Sequence, residues 1–117
     1  MSFEIKVAFD KLPALDRSAR AKLGLLVRKT ALDIEELARE LVPVDTGALK
    51  ASIEAQQESP YRWVVTAGNE AVDYAEYVEN GTTRQPPQPY LTPAADEMRG
   101  PFLEKVGVIL REAANGQ

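Results

Sequence analysis

Phe3, Ile5, Val7 and Phe9 alternate with Glu4, Lys6 and Ala8, the period of two that sends successive side chains to opposite faces of a strand. Residues 3–9 are predicted to form a strand with one buried face. Beyond Leu12-Pro13 the period changes. Ala19, Leu23, Leu26, Val27, Thr30, Ile34, Leu37, Ala38 and Leu41 recur every three or four residues, which predicts a helix over about 16–42 with Asp16 as its N-cap. Pro43 ends it, because proline disfavours helical geometry in the residue before it. Residues 52–58 and 61–68 read as two further strands, the second marked by Tyr61, Trp63, Val65 and Ala67 alternating with Arg62, Val64 and Thr66. Ser59-Pro60 supplies the turn between them.

Residues 71–79 have helical character and are closed by Asn80-Gly81, a common C-terminal stop. From Thr82 onward Pro86, Pro87, Pro89 and Pro93 predict an extended, polyproline-like arm rather than a packed element. Residues 94–113 form a second long helix with Met98, Phe102, Val106, Ile109, Leu110 and Ala113 on one stripe, and Gly100-Pro101 is expected to kink or restart it. These elements predict a single α+β domain over residues 1–117. Its long N-terminal and C-terminal helices pack on a small antiparallel sheet, and the proline-rich arm extends from it.

A first helix of about 26 residues is about 39 Å long, more than the compact radius of so small a domain. It is expected to project or to lean on a neighbour. Arg17, Arg20, Lys22, Arg28 and Lys29 occupy its first half, and Asp33, Glu35, Glu36 and Glu40 its second, an order that opposes the helix dipole. One reading is a solvated face with pairs such as Lys29 with Asp33 and Glu35 with Arg39. The other sets the basic half of one subunit against the acidic half of the next.

Composition narrows the chemistry. The 117 residues include no cysteine and no histidine, which removes disulfides, thiolate nucleophiles, zinc–thiolate sites and the commonest general base. No apolar run approaches the roughly 20 residues of a membrane span, and the charged first thirty residues carry no secretory h-region, so a cytoplasmic start is expected. A net charge of -4 argues against a general phosphate-gripping surface.

Asp45-Thr46-Gly47-Ala48 resembles the catalytic turn of retroviral-type aspartic proteases, in which two Asp share a proton so that one activates water while the other donates. That chemistry needs an all-β barrel around it, whereas here a long helix and Pro43 precede the Asp. The plainer reading is a structural turn through Pro43, Asp45, Thr46 and Gly47. In it Asp45 or Thr46 caps a short helical turn at 47–50, and Gly47 permits a backbone path that a Cβ would hinder. Asp73, Glu76 and Glu79 recur every three residues as a hard cation would require, yet such a stripe is more commonly a solvated face. Tyr74, Tyr77 and Tyr90 suggest a base-stacking platform. Without basic residues between them, core and interface packing fits better.

Three separated motifs carry a resemblance. They are Pro43-Val44-Asp45-Thr46-Gly47-Ala48-Leu49-Lys50-Ala51-Ser52-Ile53, then Tyr74-Ala75-Glu76-Tyr77-Val78-Glu79-Asn80-Gly81-Thr82, then Gln88-Pro89-Tyr90-Leu91-Thr92-Pro93-Ala94. Together they resemble the gene-product-ten-like family of tailed-phage tail-component, or neck, proteins, in order across residues 14–113. The chain departs from that pattern at Asn80, where the family often has an aromatic residue, and at Tyr90, where it often has Phe. The resemblance implies an α+β virion protein that assembles as a ring between head connector and tail. Its partners would be copies of itself and phage head-connector and tail proteins, with no membrane, no cofactor, no metal, no specific nucleic-acid binding and no catalytic residues. DNA would pass through an assembled ring, past an acidic inner surface. The expected assembly interface comprises Tyr74, Tyr77, Glu79, Gly81, Thr82, Pro89, Tyr90, Leu91 and Pro93. The alternatives are a homodimeric aspartic-protease-like hydrolase and a small monomeric adaptor sharing the fold.

Overall fold

The computed structural model describes residues 3–9, 14–43 and 47–115. Along the chain these form β1 (Phe3–Ala8), α1 (Arg17–Leu41), α2 (Gly47–Ser52), β2 (Glu54–Ser59), β3 (Arg62–Ala67), α3 (Ala75–Asn80) and α4 (Leu91–Ala114). The fold is α+β, as the sequence pattern predicts. The strands make an antiparallel sheet in the order β1-β3-β2.

Register explains why β3 is central. Phe3, Ile5 and Val7 lie across from Ala67, Val65 and Trp63, and Ala55 of β2 lies across from Val65. All seven residues therefore share one face, and that face packs into the core. Glu4, Lys6, Arg62, Thr66, Glu54 and Gln56 take the other. The pairing of β2 slips between Gln57 and Ser59, where a bulge bends the edge strand toward its turn.

α1 opens where Asp16 caps it, the Ala19 N–H donating to Asp16 Oδ1 at 2.8 Å. It buries Ala19, Leu23, Leu26, Val27, Thr30, Ala31, Ile34 and Ala38. Leu41, read from its spacing as part of this stripe, stays 42% exposed because the helix ends there. α1 leans on α4 of its own chain, and the two helices run antiparallel. Lys22 Nζ meets Glu112 Oε2 at 3.2 Å near one end, while Ile34 and Met98 line a common cavity nearer the other. The predicted surface pairs form, Lys29 with Asp33 at 2.8 Å and Arg39 with Glu35 at 3.4 Å. The molecule measures 55 × 24 × 20 Å. At Gly24 a Cβ would stand 3.3 Å from the Pro60 carbonyl oxygen, so glycine lets the β2–β3 turn approach α1.

Three expectations change. α4 does not restart at Gly100-Pro101, which lies inside one helix, and it starts at Leu91 rather than 94, which places Pro93 in its first turn, where a missing N–H costs nothing. α3 starts at Ala75 rather than 71, because Asn69 and Val72 close a turn with reciprocal backbone bonds of 2.9 and 3.1 Å. The proline-rich stretch does not project as an arm. Thr82 N–H donates to Gln85 O at 2.9 Å and Gln88 N–H to Val78 O at 2.8 Å, folding the segment back on α3 with its side chains exposed.

Candidate functional site

The three motifs converge on one part of the core. From the first, Leu49 and Ile53 are fully buried; the second contributes Ala75, and the third Tyr90, Leu91 and Ala94, all in the same apolar cluster. Ser52 ties the first motif to the sheet. Its Oγ donates to Leu49 O at 2.6 Å and accepts the Gly68 N–H at 2.8 Å. From α1, Arg39 Nη2 donates to Ile53 O at 2.6 Å, and Glu35 Oε2 accepts the Ala55 N–H at 2.6 Å. The α2-to-β2 junction is thus clamped by an ion pair whose outer appearance is that of a surface pair.

The chemistry at the centre is a buried carboxylate. Glu79, 3% exposed, reaches from α3 to the open N-terminus of α4. Its Oε1 accepts the N–H groups of Tyr90 at 3.2 Å and Leu91 at 2.7 Å, and its Oε2 accepts that of Thr92 at 3.2 Å. A helix N-terminus leaves such donors unsatisfied and carries partial positive charge, and the residue before α4, Tyr90, makes no side-chain cap. Glu79 is therefore a cap supplied from a distance. Tyr90 completes the lock, its hydroxyl donating to Ala75 O at 2.9 Å. Burial, and then the charge of Glu79 beside it, push the Tyr90 phenol well above its ordinary range.

Gly81 closes α3 with φ +75°, its N–H donating to Tyr77 O at 2.8 Å. A Cβ at this position would stand 2.6 Å from Pro87 N and 2.9 Å from Pro87 Cδ. Gly81→Ala is expected to cost about 2 kcal/mol, from left-handed backbone strain plus displacement of the loop, measurable by urea denaturation.

The predicted site residues therefore divide. Glu79, Tyr90 and Leu91 lie in the interior, and Tyr74, Gly81 and Pro93 are half-buried, while Tyr77, Thr82 and Pro89 face solvent. Tyr77 and Tyr90, outside and inside, share no stacking face. Glu79 is no part of a solvated acidic stripe, and no cluster of acids with metal-binding geometry occurs among the described residues. Pro43 follows Val42, whose φ -64° and ψ 140° are the extended geometry that a following proline favours. Asp45 and Thr46 lie outside the described residues. Gly47 opens α2, but a Cβ there would meet nothing within 4 Å, so the constraint expected at Gly47 belongs to Gly81. Sequence reasoning missed the role of Glu79. The available signal was a long helix entered through Tyr90 without a Ser, Thr, Asp or Asn cap.

A family model described as "Bacteriophage HK97-gp10, putative tail-component" matches residues 5–81 of the 117. The match takes in β1 from Ile5 onward, α1, β2 and β3, the first motif and the second as far as Gly81. The third motif lies beyond it. No curated protein matches the chain, and no solved structure does.

Proposed function

Since this chain belongs to the HK97-gp10-like family of bacteriophage tail components, we propose that it is a structural virion protein that assembles as a ring at the head-tail junction, completing the tail and joining it to the head. The family match over residues 5–81 carries the reading. The motif chemistry is consistent with it, since Glu79 and Tyr90 are both bonded to the chain's own backbone rather than presented to a substrate. The reading assigns no catalytic step. Asp45 follows a 25-residue helix and precedes α2, which is not the all-β setting a two-chain aspartic protease requires.

Copies of the chain, a head connector and tail proteins are its partners in this reading, with assembly in the host bacterial cytoplasm. DNA passes through the ring without specific contacts, consistent with the net charge of -4. No helix is long and apolar enough to cross a membrane among the described residues. The interface uses Tyr77, Thr82 and Pro89 on the exposed side of α3 and its following loop, with Tyr74, Gly81 and Pro93 at its margin. The interior Glu79, Tyr90 and Leu91 hold that surface in shape.

Disrupting the gene is expected to yield filled heads and separate tails by electron microscopy, with joining restored by the gene in trans. Joined, infectious particles in its absence would overturn the assignment. At the surface, Tyr77→Ala removes a side chain that is 58% exposed. It is expected to change stability by less than about 0.5 kcal/mol while reducing incorporation into particles; incorporation at the wild-type level would remove Tyr77 from the interface.

A further inference from the structure

The side of α1 turned away from the core carries large apolar groups. Leu25 is 62% exposed and Leu32 37%. Seven residues apart, they lie almost one above the other on the helix, opposite the buried stripe of Leu23, Val27 and Ile34. With Arg28, Lys29 and Asp33 they line a shallow depression of about 440 Å³. The charges around them run against the helix dipole, with no acid in the first turn. The helix in isolation is disfavoured by that order, so what it favours must lie elsewhere.

We propose that this face docks on the same face of a second copy, with the two α1 helices antiparallel about a two-fold axis near Leu32. Charge complementarity selects the occupant and its direction. An antiparallel register that sets Lys29 across from the second copy's Asp33 also sets Lys22 across from its Glu40, because Lys22 precedes Lys29 by seven residues and Glu40 follows Asp33 by seven. At about 100° per residue these four side chains fall on one flank of the leucine seam, and a two-fold axis perpendicular to both helices brings that flank onto its own copy. Every pair then occurs twice. Leu32 meets Leu32 beside the axis, and Leu25 covers the aliphatic stem of Glu36. A parallel alignment in register would instead set Lys29 against Lys29. The contact saturates with two copies, so it is the state of the free chain. It uses none of the residues assigned to the ring and does not rest on that reading.

The chain has no cysteine, so single cysteines report contacts without background. Under mild oxidation, full-length Leu32→Cys is expected to form a disulfide-linked dimer. Leu25→Cys is expected to remain uncrosslinked, because its counterpart lies roughly 18 Å away along the helix axis. In sedimentation at low salt, K22E/K29E is expected to weaken self-association about tenfold, the combined effect of four exposed ion pairs. An equimolar mixture with D33K/E40K should restore it. Lys22, Lys29 and Glu40 are exposed and Asp33 is half-buried. Because Lys22 and Lys29 also pair with Glu112 and Asp33 of their own chain, far-UV circular dichroism checks that the variants remain folded, and the crosslinking comparison, which leaves those charges in place, decides even where a charge variant does not. A wild-type chain that sediments as a monomer, crosslinking at Leu25 as fast as at Leu32, or indifference to charge reversal would each overturn the pairing. A monomeric chain that still enters virions overturns the pairing alone, and a dimer absent from virions overturns the ring alone.

Discussion

Glu79→Ala is expected to lower stability by about 3–5 kcal/mol, and the Tm by roughly 12–20 °C. The side chain is 3% exposed, and its removal leaves the N–H groups of Tyr90, Leu91 and Thr92 without acceptor or easy access to water. Each orphaned donor costs about 1–3 kcal/mol, and the favourable contact between a carboxylate and the α4 N-terminus disappears as well. Glu79→Gln separates the contributions. Its carbonyl oxygen can keep Tyr90 and Leu91, while the amide nitrogen turns a donor toward Thr92 N–H. A loss of about 1–2 kcal/mol is expected. Urea denaturation of the three proteins provides the measurement. A loss below about 1 kcal/mol for Glu79→Ala would mean that α4 does not depend on this cap.

The same carboxylate marks the limit of what the sequence makes legible. Elements whose cause is local were readable. β1 follows from a strict alternation, and α1 from its stripe, its Asp16 cap and the stop at Pro43, with observed ends at Arg17 and Leu41. The strands after it shift by one or two residues, since Ser52 is drawn into α2 by its bond to Leu49 O. The start of α4 was not readable, because its cap comes from eleven to thirteen residues away and propensity counts only neighbours. Prolines at 86, 87 and 89 suggest an arm, yet two backbone bonds suffice to fold the segment back. Local geometry allowed both outcomes, and packing chose between them.

The candidate site follows the same division. The motifs were visible as motifs, and the fold of each residue's neighbourhood was not. Nothing in Glu76 and Glu79 as letters separates a half-buried surface acid from one buried against three amides; what separates them is one helical face turned inward. Arg39 and Glu35 were legible as an i,i+4 pair, but their second bonds, to Ile53 O and Ala55 N–H, need the sheet in place. The result is a cluster in which polar side chains satisfy backbone groups at element junctions. Such groups fix the geometry of the junctions they bridge.

Tyr90 supplies the second large effect and a dependence on pH. Its side chain is among the largest that are fully buried, so Tyr90→Ala is expected to cost about 4 kcal/mol through the cavity it leaves, with the Ala75 carbonyl also stranded. Tyr90→Phe keeps the ring and loses only the hydroxyl, about 1–1.5 kcal/mol near neutrality. The phenol's folded-state pKa is raised by burial and then by Glu79, so the folded chain holds its proton where the unfolded chain has released it. The unfolded state therefore binds fewer protons once pH passes about 10, and stability falls with rising pH by up to about 1.4 kcal/mol per unit. Tyr90→Phe lacks this contribution. Its deficit relative to the wild type should shrink between pH 8 and pH 11, and the two urea midpoints should approach or cross there. A deficit that stays constant over that range would show that the hydroxyl is ionised as readily in the folded chain as in the unfolded one, and that the buried bond to Ala75 does not hold its proton.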